Sequence, residues 1–208
     1  MQQGTDEWFA ARLGIPTASR FGDVMATGRG GKPSATRKNY MAQLLLERLT
    51  GQRQETFQSA AMRWGTETEP LAREAYEAEE GVLVEECGLI TLGDDARRIG
   101  ASPDGLVGDD GLLEIKCPES AQALQNALDG LYHENYHWQV QGQLLITGRK
   151  WCDFVVFDPR LPEKMQYHCT RIMAGPTAIG DLSKGLRDFA SELAIFETQL
   201  KEKYAITE

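Results

Sequence analysis

Nowhere does the chain run for the roughly 18 consecutive apolar residues that a membrane-spanning helix needs, so insertion as a helix is not expected. Histidine is scarce, with 3 residues, and cysteine hardly less so, with 4. Cys87, Cys117, Cys152 and Cys169 are scattered, which excludes the close pairs of a zinc ribbon or a CxxC redox site. Small buried thiols in a reducing compartment are the expectation. The opening Met-Gln-Gln-Gly-Thr-Asp-Glu-Trp has neither the basic nor the apolar region of a secretory signal, so the expected location is cytoplasmic.

Positive charge is also lacking: 22 Lys and Arg face 31 Asp and Glu, for a net charge of -9. That sign excludes a protein coated for polyanion binding, unless the charge is unevenly spread. It is uneven. Residues 1–53 carry Arg12, Arg20, Arg29, Lys32, Arg37, Lys38, Arg48 and Arg53 against Asp6, Glu7, Asp23 and Glu47. This first quarter is therefore positive, and the remainder carries the acidity. A local basic region grips phosphate while an acidic surface faces elsewhere; a solvated helix face is the plainer alternative.

What remains is the composition of a globular protein. With 208 residues and 41% apolar content, one core is expected, and the chain reads as a single domain, 1–208. Thr17 or Ser19 is placed to cap a helix running to about Ala26. A glycine-rich loop follows, then a helix capped by Ser34 and ended by Gly51. A third helix spans Ser59 to Glu80, with a break or kink expected at Pro70. The period then shortens: Val82–Val84, Leu89–Leu92, Ile99–Ser102, Leu106–Val107 and Leu112–Cys117 read as strands. Helices are expected near Ala121–Leu128 and Tyr136–Ile146, and strands at Trp151–Phe157 and Gln166–Ile172. After Pro176, apolar residues at Ile179, Leu182, Leu186, Phe189, Leu193, Phe196 and Leu200 mark a long helix with one buried seam. The expected fold is α/β: a central mixed β-sheet flanked by helices, closed by a long C-terminal helix.

The chemistry concentrates between Ser102 and Lys116. In a strand, residues two apart share a face, so Glu114 and Lys116 project together while Ile115 points into the core. The turn at Asp109-Asp110-Gly111 folds the preceding segment back and brings Asp104 beside them. Two carboxylates with a backbone carbonyl suit Mg²⁺, a hard cation that keeps several waters. Such an ion activates water and neutralises phosphoryl charge; a neighbouring lysine orients or deprotonates that water and stabilises the transition state. By spacing alone, a surface hairpin with solvated charges is an equally available reading.

Specific motifs narrow it. Arg12-Leu13-Gly14-Ile15-Pro16-Thr17-Ala18-Ser19, Trp64-Gly65-Thr66-Glu67-Thr68-Glu69, Ser102-Pro103-Asp104-Gly105-Leu106, Leu113-Glu114-Ile115-Lys116-Cys117-Pro118, Trp138-Gln139-Val140-Gln141 and Phe157-Asp158-Pro159-Arg160 occur in order. Together they resemble the lambda exonuclease and YqaJ-type viral recombinase family of PD-(D/E)XK nucleases. The resemblance implies a restriction-endonuclease-like core and a Mg²⁺-dependent 5′→3′ exonuclease on double-stranded DNA ends, with Mn²⁺ substituting. It implies Asp104, Glu114 and the Ile115 carbonyl as metal ligands, Lys116 as the catalytic lysine, and Gln139 beside the scissile phosphate. It implies Glu69 for a second metal, and Arg12, Ser19 and Ser102 as a pocket for the 5′-phosphate. It implies Met62 as a wedge at the terminal base pair and Arg29 as a DNA-touching loop residue. A homotrimer and a single-strand annealing recombinase partner are likewise implied.

Two rivals come from the residues themselves. His133-Glu134-Asn135-Tyr136-His137 spells HExxH, the zinc peptidase signature, but Asp129-Gly130 just upstream puts it in a loop or a frayed first turn. A catalytically inactive DNA-end binding module is the other; the intact Asp104, Glu114 and Lys116 argue against it. An iron–sulfur nuclease would need clustered late cysteines.

Overall fold

A computed structural model describes residues 1–53, 59–94, 97–120, 125 and 132–204. Its centre is a five-stranded mixed sheet in the order β1-β4-β5-β6-β7. The strands are β1 (Val84–Glu85), β4 (Gly105–Val107), β5 (Gly111–Lys116), β6 (Trp151–Phe157) and β7 (Tyr167–Met173). Only β5 and β6 run parallel, and the parallel pair needs a crossover connection. Helix α5 (His137–Thr147) lies within that connection. A separate two-stranded ribbon pairs β2 (Ile90–Leu92) with β3 (Ile99–Ala101).

Alternation along β5 assigns the two faces. Leu113 and Ile115 pack with Ala72 and Tyr76 of α4 (Ala60–Glu80). Leu112 points the other way and packs with Val140 and Leu144 of α5. A third cluster joins α2 (Phe21–Met25), α3 (Ala35–Thr50) and α6 (Pro176–Lys203) through Phe21, Tyr40, Leu44, Leu182, Phe189 and Leu193. Arg37 of α3 forks onto Glu192 of α6 at 2.6 and 2.9 Å. Helix α5 lies tight against α2, because a Cβ at Gly142 would meet the Phe21 ring at 2.3 Å. A side chain there would push away the helix that carries the site glutamines.

Several expectations change in detail. Helix α1 (Asp6–Ala11) was not foreseen, although Thr5 caps it by accepting from the Trp8 N–H. The expected helix from Thr17 is a 3₁₀ turn, Ala18–Arg20, running into α2; Thr17 holds its N-cap position, but its side chain makes no capping bond. The expected break at Pro70 is absent: α4 continues through it. Proline frees the carbonyl four residues earlier, at Thr66, and both residues are exposed, so water serves that group. The seam of α6 is buried from Leu182 to Leu193, but Phe196 is 51% exposed, so the stripe outlasts the core. The helix expected near Ala121–Leu128 falls, apart from residue 125, outside the described residues. Among the described residues no helix is long and apolar enough to cross a membrane.

Candidate active site

The β4–β5 hairpin sets the geometry. Its register pairs Gly105 with Leu113 and Val107 with Gly111, which puts Asp104 opposite Glu114. The Asp104 N–H donates to the Leu113 carbonyl at 3.0 Å. Its carboxylate accepts from the Ile115 N–H at 2.6 Å. The sequence expectation of Asp104 beside Glu114 and Lys116 is thus met, with both Asp104 and its backbone tied to the neighbouring strand.

Glu114 is 1% exposed and its two oxygens accept three side-chain donors. Lys116 Nζ and Gln139 Nε2 donate to Oε1, each at 2.5 Å. Gln143 Nε2 donates to Oε2 at 2.6 Å. Lys116 also lies over the Tyr136 ring, 4.7 Å from its centroid. Burial, and then the facing charge of Glu114, push the Asp104 carboxyl well above the ordinary carboxylate range. Burial works against the Lys116 ammonium, but Glu114 and Asp104 outweigh it and hold the amine charged. Lys116 shares a cavity with Arg12 and Ser19, where its Nζ can meet an anion.

Two carboxylates forced together in a buried site, with the Ile115 backbone beside them, match the needs of a hard divalent cation. Among the described residues no group of three His, Cys, Asp or Glu assembles into a metal site. Such a cation would thus rest on two carboxylates, a carbonyl and water. One further observation fits: Gln143 Oε1 is buried without a hydrogen-bond partner beside this pair. Glu69 lines a cavity of about 430 Å³ with Asp104, Ile115 and Lys116. Its carboxylate, however, is turned to Arg73 at 2.7 Å, an ion pair the sequence reading did not foresee.

The second constellation adjoins the first. Arg12 Nη1 donates to Ser102 Oγ and Nη2 to Thr17 Oγ1, both at 3.3 Å. Thr17 Oγ1 lies 3.5 Å from Ser19 Oγ. The Arg12 guanidinium stacks 4.0 Å from the Trp8 ring, and Trp8 Nε1 donates to Ser102 Oγ at 2.9 Å. Burial holds the Arg12 guanidinium below its ordinary pKa. One cavity of about 190 Å³ is lined by Arg12, Ser19 and Ser102 on one side and by Asp104, Glu114, Lys116 and Gln139 on the other. Met62 is 52% exposed and lines three cavities. Arg29 stands exposed in a hairpin-like loop closed by the Gly28 N–H on the Lys32 carbonyl, and lines none of these cavities.

Sequence reasoning missed Trp8, Thr17, Tyr136 and Gln143. Two of them were marked by spacing: Trp8 precedes Arg12 by four residues and Gln143 follows Gln139 by four, the helical interval that puts side chains on one face. Among the described residues the HExxH stretch assembles no group of three metal-ligating side chains. His133 and Glu134 sit on a 3₁₀ segment, Tyr132–Tyr136, and His137 begins α5. At three residues per turn, positions four apart diverge by about 120°. His133 instead packs edge-on to Phe154, and His137 against Trp138.

A buried acidic pair with an ammonium, opening into the same cavity as a guanidinium flanked by hydroxyls, is equipment for phosphodiester cleavage, and with the family below it defines a deoxyribonuclease. Residues 7–150 match the YqaJ-like viral recombinase domain, and the chain belongs to that family. It is similar to LHK-Exo, an alkaline exonuclease from Laribacter hongkongensis, at 47% identity over 97% of this chain and 98% of that one, with a TM-score of 0.87. The same likeness, with a TM-score of 0.88, holds for LHK-Exo in complex with dAMP. A phage-related exonuclease from Haemophilus somnus 129PT shares the fold, at 14% identity and a TM-score of 0.71 over 91% of this chain and 96% of that one. No protein of curated function matches the sequence.

Proposed function

We propose that this nuclease is a Mg²⁺-dependent 5′→3′ exonuclease of the PD-(D/E)XK type, acting as one domain on the ends of double-stranded DNA. It releases 5′-mononucleotides and leaves a 3′ single-stranded overhang. The observation that carries the reading is the shared cavity joining Arg12, Ser19 and Ser102 to Asp104, Glu114, Lys116 and Gln139. A terminal 5′-phosphate seated in the first set, with the next phosphodiester over the second, would account for polarity and product length together.

Asp104, Glu114 and the Ile115 carbonyl would hold the cation, with Glu69 serving a second ion if it releases Arg73. Bound Mg²⁺, or Mn²⁺ in its place, would lower the pKa of water and neutralise charge on the phosphoryl oxygen. Lys116, held as an ammonium by its carboxylate neighbours, donates to the phosphate as negative charge builds. Gln139, fixed on Glu114, borders the scissile group. Arg12 forks onto the terminal phosphate, and Ser19 and Ser102 add hydroxyl donors. Met62 borders the terminal base pair from the rim, and Arg29 reaches the duplex from its loop. That LHK-Exo was crystallised with dAMP, a deoxynucleoside monophosphate, supports the product assignment.

By the same family argument the enzyme assembles as a homotrimer around DNA in the cytoplasm and passes the exposed strand to a single-strand annealing recombinase. Exposed Ile195 and Phe196 at the end of α6 offer apolar surface for such assembly. The test is digestion of a linear duplex with separately labelled 5′ and 3′ ends, with Mg²⁺ present or chelated. Early loss of the 5′ label as a mononucleotide is expected; early loss of the 3′ label, or unchanged digestion under chelation, overturns the proposal.

A further inference from the structure

Gln143 is 1% exposed, and most of its neighbours along α5 are apolar. A glutamine at such depth needs partners for both ends of its amide. One end has a strong partner: Nε2 donates to Glu114 Oε2 at 2.6 Å. The other has none among the described residues, since Oε1 is buried and unpartnered. Turning the amide over does not help, because it would press a carbonyl oxygen against a carboxylate. The orientation is therefore determined, and the free acceptor remains. Gln143 lines the cavity of about 190 Å³ that also contains Asp104, Glu114, Lys116 and Gln139, where polar walls favour ordered water. Gln139 and Lys116 donate to Oε1 of Glu114, so among the described residues Gln143 is the donor that fixes the second oxygen.

We infer that Gln143 is a positioning residue for the cation site: its amide nitrogen holds Glu114 in place beside Asp104, and its amide oxygen accepts a hydrogen bond from a water of a hydrated divalent cation. The inference rests on the cation-dependent reading above and adds a residue to it. A divalent ion that keeps several waters needs acceptors for them as well as ligands for itself. The acidic pair supplies the ligands, and Gln143 supplies an acceptor that no protein donor has claimed.

The test is direct Mn²⁺ binding to the metal-free full chain, followed by electron paramagnetic resonance and calorimetry, with thermal melting of each variant measured without metal. Gln143→Met keeps the length and packing but removes both hydrogen-bonding ends. Its Mn²⁺ affinity should fall by about 10- to 100-fold, the range for partners of metal ligands, with a cooperative metal-free melt showing that the variant is folded. Should that variant fold poorly, Gln143→Asn keeps an amide one methylene too short to reach Glu114, and its affinity should fall by a similar order. Affinity within about twofold of the parent in a folded variant overturns the role of Gln143 alone. A parent that binds no Mn²⁺, and behaves like Asp104→Asn, removes the cation site and this inference with it.

Discussion

Arg12 is the residue whose removal should depend most sharply on the chemistry of the DNA end. Its guanidinium is partly buried against Trp8 and, among the described residues, donates to two neutral hydroxyls, at a long 3.3 Å each. Burial already holds it below its ordinary pKa, so the charge is kept at a cost that an arriving anion would offset. A terminal phosphate would replace those weak contacts with charge-assisted bonds of about 1.5–3 kcal/mol each. Bonds of one network do not add, so the loss on Arg12→Ala is taken as about 3 kcal/mol, or roughly 100-fold in kcat/KM. Arg12→Lys keeps a charge but loses the fork, and should fall about tenfold. On ends carrying a 5′-hydroxyl the parent has no phosphate to lose, so both variants should stay within about threefold of it. The assay is the initial rate of mononucleotide release from duplexes that differ only in the terminal phosphate. An equal loss on both kinds of end would refute the reasoning, because Arg12 would then be supporting the fold of the pocket and not its occupant.

Lys116→Ala should lower the single-turnover cleavage rate by about 10³-fold while DNA binding in Ca²⁺ stays near the parent's; retained cleavage sinks the transition-state role. Phe189→Ala opens the fully buried contact between α3 and α6 and should cost about 3–5 kcal/mol, read as a lower denaturation midpoint in urea with an unchanged slope. Hydrogen bonds from Arg160 hold the Asp158 carboxyl below its ordinary range. A depressed carboxylate stabilises above its unfolded pKa of about 4 and loses that contribution as pH falls further, so Arg160→Met should flatten the acid limb of stability. His133→Ala should leave Mg²⁺-supported digestion unchanged; loss of a Zn²⁺-dependent activity in that variant would restore the peptidase reading.

The parts legible in the sequence were those set by local period. Alternation in β5 separates Glu114 and Lys116 from Ile115, and the structure divides them between α5 and α4 accordingly. The turn before Gly111 fixes the register, and with it the meeting of Asp104 and Glu114. The stripe on α6 was equally plain, yet its period does not say where the core stops, and Phe196 lies beyond it. Pro70 misled because the cost of proline in a helix depends on whether water reaches the freed carbonyl, which is a property of the exposed face of α4.

The illegible parts are long-range. Ser102 and Arg12 are 90 residues apart, and although spacing sets Trp8 beside Arg12, nothing announces that Trp8 will also bond Ser102. Glu69 reads as free in sequence, though Arg73 four residues on already supplies the interval for an ion pair. Gln143 is the instructive case. On α5 it is buried among Val140, Leu144 and Ile146, and buried polar residues are costly unless something pairs them. Half of its amide is paired by Glu114, and the other half is buried without a partner among the described residues. A local rule broken at a buried position, with only part of the cost met by the protein itself, points to a site that another species completes.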